Sequence, residues 1–169
     1  MARELPGVLS AVRDAIDGVA RRSPARLTLL VFLGDQVYAD DMSPAAQRRV
    51  ERRDDERGDV PTKVVADFEE YTWLYQESWT AEIERWVMSV VPSVMIFDDH
   101  DVIDDWNTSR AWVDEIRAEP WWHDHIIGAM MSYWIYQHLG NLAPAEIEAD
   151  GMLAQLTASD DAEAVLREW

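Results

Sequence analysis

Apolar residues in this chain follow two rhythms: a helical spacing of three to four, and short unbroken runs. Leu5, Val8, Leu9, Val12, Ile16 and Val19 share the helical spacing, which predicts an amphipathic helix over residues 6–21, broken by Ser23-Pro24. Residues 27–33 (LTLLVFL) form the first unbroken run, bounded by Pro24 and Gly34, and read as a buried strand of a parallel sheet. Residues 35–42 read as a loop, and Ser43-Pro44 opens a helix in the cap-then-proline pattern. The charged stretch 47–59 predicts a solvated helix or a loose excursion. Val65, Phe68, Thr72, Tyr75 and Trp79 give residues 64–79 a helical period. Thr80 then offers a cap for a further helix through Val90, with Glu82 near its positive end. Val91-Pro92 stops that helix, and residues 94–97 read as the second buried strand. A short helix over 109–118 follows, then the longest helical pattern, 120–139, with Pro120 at its start and Gly140 just past its end. Residues 144–169 read as two helical pieces split at Gly151.

Helix, strand, helices, strand, helices is the order of an α/β fold with parallel strands. Two strands are too few for a finished domain, so the pattern predicts part of something larger. The 169 residues suffice for about one domain, and 48% hydrophobic residues with nine tryptophans can build its core. A net charge of −18, from 33 acidic and 15 basic residues, argues against a nucleic-acid-binding surface. It fits a protein whose acids are solvated or partly neutralised by bound cations. The absence of cysteine excludes disulfides and thiolate metal sites. No apolar run approaches the roughly 18–20 residues of a membrane span. Residues 1–22 lack the basic-then-apolar plan of a signal peptide, so a cytoplasmic location is expected.

The densest chemistry lies in residues 93–107, SVMIFDDHDVIDDWN. Asp98, Asp99, Asp101, Asp104 and Asp105 crowd around His100 within eight residues. Their mutual repulsion calls for a cation or for solvent. A buried strand that delivers such a cluster to its carboxyl end is how open α/β sheets build ligand sites. The first strand ends in the same way, with Gly34, Asp35, Tyr38, Asp40 and Asp41. If the strands are parallel neighbours, both clusters share one sheet edge. Carboxylates and an imidazole converging there suit a hard or borderline divalent ion, or Fe(III). The plainer alternatives are a turn role for Asp35 and a solvated acidic loop over 98–105. An EF-hand starting at Asp99 fails, because its sixth position is Asp104 where glycine is needed. His123 and His125, two apart on a helix, face different ways and make a poor zinc pair. No Gly-x-Ser-x-Gly or phosphate-cradling glycine loop is present. The aromatic stretch 121–136 reads first as core and second as a pocket wall, and His138 with Gln137 and Asn141 as a hydrogen-bonding helix end.

Three motifs carry a family likeness: Gly34-Asp35-x-x-Tyr38-Ala39-Asp40, Phe97-Asp98-Asp99-His100-Asp101-x-x-Asp104-Asp105-Trp106-Asn107, and Ser132-Tyr133-Trp134-x-Tyr136-Gln137-His138-Leu139-Gly140-Asn141-Leu142. Over about residues 26–144 the chain resembles the PhoD-like (alkaline phosphatase D) family of the calcineurin-like metallophosphoesterase superfamily. The resemblance implies a partial metallophosphoesterase-type αββα sandwich and a phosphoric ester hydrolase, acting on mono- or diesters through two-metal activation of water. It implies metal ions of the Fe, Ca, Mn or Zn kind. In the superfamily's Gly-Asp-x-x-Asp motif Asp35 takes the bridging position and Tyr38 falls where the second Asp usually lies. In Gly-Asn-His-Asp/Glu, Asp99 takes the place of the metal-binding Asn, and His100 stabilises developing charge or protonates the leaving oxygen. Catalytic candidates are therefore His100 and Asp35, and metal candidates Asp35, Asp99, Tyr38 and Asp98. Asp101, Asp104, Trp106, Asn107 and His138 are substrate-pocket candidates. The superfamily's first motif (Asp-x-His) and its last ones (an isolated His and Gly-His-x-His) have no counterpart here. Residues 1–169 are thus expected to form a single, partial catalytic domain with half a metal site and feeble turnover. A non-catalytic acidic module that binds Ca2+ or a protein through residues 98–105 is the alternative.

Overall fold

The computed structural model describes residues 29–53 and 60–169; the helix expected over 6–21 and much of the charged stretch lie outside them. Strands β1 (Leu30–Leu33) and β2 (Ser93–Ile96) pair in parallel, Leu30 opposite Ser93 and Leu33 opposite Ile96. Among the described residues the sheet has these two strands only. Mixed α/β with parallel strands is therefore the observed class. Burial departs from expectation: Val31, Leu33 and Ile96 are exposed, Leu33 by 78%. An unbroken apolar run marks a strand suited to cover on both faces, and the described residues cover only one.

Local chemistry sets the helix boundaries. Helix α1 (Pro44–Val50) starts at Ser43, whose hydroxyl accepts from the Ala45 and Ala46 amides. Helix α2 (Phe68–Trp79) begins later than the spacing from residue 64 suggests. The Asp67 carboxylate caps it by accepting from Glu70, while the Val65 amide is committed to Ala39. Helix α3 (Glu82–Val90) starts without a side-chain cap; Thr80 instead donates its hydroxyl back to Gln76. Helix α4 (Arg110–Ile116) is capped by Ser109. Helix α5 (Trp122–Tyr133) does not run on to residue 139 as an α-helix. It passes into a π-helical turn, Trp134–His138, and a last α-turn, Leu139–Asn141, that contains Gly140. The C-terminal segment holds three helices rather than two: α6 (Pro144–Asp150) and α7 (Met152–Ala158), parted at Gly151, then α8 (Ala162–Arg167), capped by Asp161.

The core forms where α2 crosses α5, around Tyr71, Leu74, Tyr75, Trp121, Trp122 and Val102. Gly128 allows the approach, because a Cβ there would lie 2.6 Å from the Phe68 nitrogen. Glu70, buried at the start of α2, binds Arg53 at 2.7 Å and the Ala66 amide at 2.7 Å. Arg53 also donates to the Val64 carbonyl, so this pair fastens residues 64–66 to α2. His125 is fully buried, its ring nitrogens 2.7 Å from the Val65 carbonyl and 2.8 Å from that of Val102. Asn141 reaches β2 with its amide, accepting from the Met95 nitrogen and donating to the Met95 oxygen. It thereby caps one sheet edge as a neighbouring strand would. Among the described residues no helix is long and apolar enough to cross a membrane.

Two glycines should respond in opposite ways. Gly128→Ala forces α2 and α5 apart and should cost about 1–3 kcal/mol. Gly140→Ala, with nothing within 4 Å of the added methyl, should gain about 0.5–1 kcal/mol. Urea unfolding of both variants checks the pair, and a neutral Gly128→Ala would refute the close approach. His125 gives a pH signature. Burial holds its pKa below the ordinary value, although the two carbonyls oppose that shift; the Tyr71 hydroxyl, 3.5 Å away, and the Asp40 charge face the same ring. The folded ring is neutral, so its contribution is intact above about pH 6.5 and is lost as the pH falls, the unfolded chain taking the proton first. Stability measured from about pH 7 down to about pH 5.5 should fall more steeply in the wild type than in His125→Gln.

Candidate metal centre

Parallel pairing sends both strands' carboxyl-terminal loops, 34–42 and 97–107, out at the same sheet edge. Gly34 makes their contact possible. Its φ is +102°, and a Cβ there would sit 2.3 Å from the Asp98 Cβ. Asp35, Asp105 and Asn107 also have positive φ, a left-handed conformation that Asp and Asn tolerate better than most residues. Asp98 caps the 3-10 turn Asp99–Asp101 through its carboxylate, and Asp101 reaches back to the Asp98 amide.

Asp101 holds the two loops together. It is 4% exposed, and its carboxylate accepts from the Gln36, Val37 and Asp98 amides and from the Gln137 side chain. Burial raises its pKa to about 6 against the lowering effect of those amides. A carboxylate so enclosed is a positioning group and has no face toward a substrate pocket, which corrects its sequence-level assignment. Gln137 reaches it because the π-turn directs that side chain inward, where it also donates to the Tyr75 hydroxyl.

In front of this hub lie the carboxylates. Oxygens of Asp35, Asp98 and Asp99 come within 4.8 Å of one another, as do those of Asp99, Asp104 and Asp105. Asp99 belongs to both groups. Asp35 Oδ1 is buried with no hydrogen-bond partner. Burial raises the Asp35 pKa; His100 opposes the shift, and the Asp99 and Asp98 charges add to it. Like charges this close, beside an orphaned carboxylate oxygen, are the donor set of a hard or borderline cation. The residues present therefore fit a metal ion.

His100 stands beside them. Its Nδ1 is 3.0 Å from Asp40 Oδ1, its Nε2 is 3.7 Å from Asp104 Oδ1, and the Tyr38 ring lies against it at 4.6 Å between centroids. Burial pulls the His100 pKa down, but the Asp40 hydrogen bond and the surrounding carboxylates outweigh it, and the net shift is upward. Burial and neighbouring carboxylates raise the Tyr38 pKa. Asp40 also accepts from the Asp104 amide at 2.6 Å, so one carboxylate fixes the imidazole and the far loop together. The sequence reading did not select Asp40, although its place two residues beyond Tyr38 in the same motif was the available signal. Asp104 and Asn107 are exposed, and Trp106 packs on Phe97. Trp106 and Asn107 line a cleft of about 470 Å3 together with Trp112, Arg117, Trp122 and His123. His138 is not brought to the cluster; its ring lies against Tyr133 and Trp169.

Two parallel strands here gather aspartates and an Asp-oriented histidine at one edge, a set of groups that could hold a metal ion. The sequence profile of the PhoD-like phosphatase family matches residues 11–146 of the 169, and the chain belongs to that family. Membership supports a phosphatase-type function. No curated protein and no solved structure matches the chain.

Asp101→Ala leaves three loop amides without their acceptor and should lower stability by about 2–4 kcal/mol. Urea unfolding measures this, and a loss below about 0.5 kcal/mol, the ordinary size of a surface change, would remove Asp101 from its place at the hub.

Proposed function

We propose that this chain contributes the core of a metal-dependent phosphoric ester hydrolase site, within a metallophosphoesterase-type αββα sandwich. The carrying observation is the buried, partnerless Asp35 oxygen within 4.8 Å of the Asp98 and Asp99 carboxylates, in a chain of the PhoD-like phosphatase family. Support for the sandwich comes from the apolar sheet face of Val31, Leu33 and Ile96, a surface suited to a second layer. Residues 1–169 are read as a single, partial catalytic domain.

Asp35, Asp98 and Asp99 would hold one ion, and Asp99 with Asp104 and Asp105 offers a second set. Bound there, such ions supply positive charge to phosphoryl oxygens and acidify a water molecule. The chain's own residues do the rest. The Asp40 carboxylate accepts a hydrogen bond from Nδ1–H of His100 and so fixes the ring's orientation. Nε2 is left directed toward the acidic edge, where it can hold a proton for a leaving oxygen. Tyr38 shields the ring on one face. The Trp106 cleft offers an apolar wall on one side of the acidic edge, where the second organic group of a diester would fit.

Calorimetric titration with Mn2+, Zn2+ and Ca2+, beside assays on p-nitrophenyl phosphate and its diester, tests this reading. At least one ion should bind, and Asp35→Asn should weaken it by roughly ten-fold or more. Hydrolysis should be slow, metal-dependent and lost in the same variant. Ca2+ binding without any metal-dependent hydrolysis would favour the non-catalytic module instead.

A further inference from the structure

We propose that a second acidic cleft, next to the metal edge, binds a small protonated amine carried by the alcohol part of the phosphate ester. This deepens the phosphatase reading and rests on it for the identity of the ester.

The cleft has a volume of about 240 Å3 and is bordered by Tyr38, Asp41, Ser43, Glu77, Ser78 and Glu84. Val37, Met42 and Leu74 give it an apolar wall, and among the described residues no lysine, arginine or histidine lines it. Glu84 carries the inference. It is 8% exposed, faces this cleft, and has no hydrogen bond or ion pair among the described residues. Its place in the first turn of α3 gives it some relief from the helix dipole. The side chain is enclosed while its carboxylate opens on the cleft, and no protein donor among the described residues reaches it. The neighbouring groups are already committed: Glu77 accepts from the Ser43 hydroxyl, and Ser78 points to the Gln36 carbonyl at 3.4 Å. Among the described residues no cation meets Glu84, so its open carboxylate is free to take a cationic donor that enters the cleft.

The shape of the cleft selects the class of cation. Asp41, Glu77 and Glu84 do not form a three-carboxylate group within metal-ligand reach; among the described residues the two such groups both lie at the metal edge. An ion chelated by all three is therefore disfavoured. One aromatic ring, Tyr38, does not make the cage that quaternary ammonium groups prefer. Carboxylate and hydroxyl acceptors beside a short apolar wall suit an N–H-bearing alkylammonium. A phosphoryl group is repelled from this cleft and attracted to the metal edge. Tyr38 borders both, with its ring on His100 and its side chain in the cleft wall. An amino-alcohol phosphate would span the two regions, phosphoryl at Asp35 and ammonium at Glu84.

The test uses metal-free protein and NMR titration with 2-aminoethanol, against the neutral ethylene glycol. Saturable binding of the amine, absence of binding by the diol, and a roughly ten-fold or greater weakening in Glu84→Gln are expected. A thermal melt establishes that Glu84→Gln is folded, and Glu77→Gln serves as a second variant expected to weaken binding less. Equal binding of the diol, unchanged amine affinity in Glu84→Gln, or no saturable binding would each overturn the proposal. Failure here is separate from failure of the phosphatase reading. Amine binding is measured without metal, whereas p-nitrophenyl phosphate carries no amine.

Discussion

The carboxylate of Asp101 is the interaction on which the rest of the centre depends. Burying a charge is unfavourable unless it is surrounded by donors, and Asp101 is surrounded by three backbone amides and a side-chain amide. Those donors come from three segments far apart in sequence: the loop after β1, the loop after β2, and the π-turn after α5. The residues on either side of its partners are the candidate site residues. Asp35 precedes Gln36, Tyr38 follows Val37, and Asp98 is itself a donor to Asp101. One buried group thus fixes the spacing of the carboxylates in front of it without meeting a ligand.

What it fixes is an unfavourable arrangement. Several aspartates face one another, and Asp35, Asp105 and Asn107 hold left-handed backbone conformations. Strained residues of this kind cost on the order of 1–3 kcal/mol each and persist when surrounding contacts impose them. The surrounding contacts here are the Asp101 network, the Gly34–Asp98 approach, and the Ala39 amide bound to the His100 carbonyl at 2.9 Å. Stability is drawn from the core beneath, where α2 and α5 meet and the His125 ring sits between the Val65 and Val102 carbonyls. A cation at the edge would relieve the repulsion that the packing enforces, so folding and ligand binding favour the same geometry.

Much of this was legible in the sequence because it depends on local signals. Apolar runs ending in Gly-Asp and Asp-Asp-His-Asp gave the strands, their loops and the shared edge, and the motif spacing gave the family. Less legible were features set by long-range partners. Helix α2 starts at Asp67 because Val65 is held by Ala39, a residue 26 positions earlier. The π-turn arises inside a pattern that reads as plain helix, and no spacing rule separates Gln137, which meets Asp101, from His138, which meets Trp169. Asp101 shows the same limit. In sequence it is one more aspartate of an acidic run, and only the burial of its neighbours separates a positioning group from a ligand.

The acidic residues therefore divide by separation rather than by type. At the sheet edge the two strand ends converge, and carboxylate oxygens come close enough to share one small ion. Around Glu84 the carboxylates belong to a loop and two helix ends that do not converge, so they surround a volume instead of a point. The first geometry favours a metal and the second an organic cation, with Tyr38 as the common wall. The net charge of −18 follows the same logic. A surface that repels polyanions in general can still hold a phosphate ester, provided the negative end meets metal charge and the positive end meets the unpaired carboxylate.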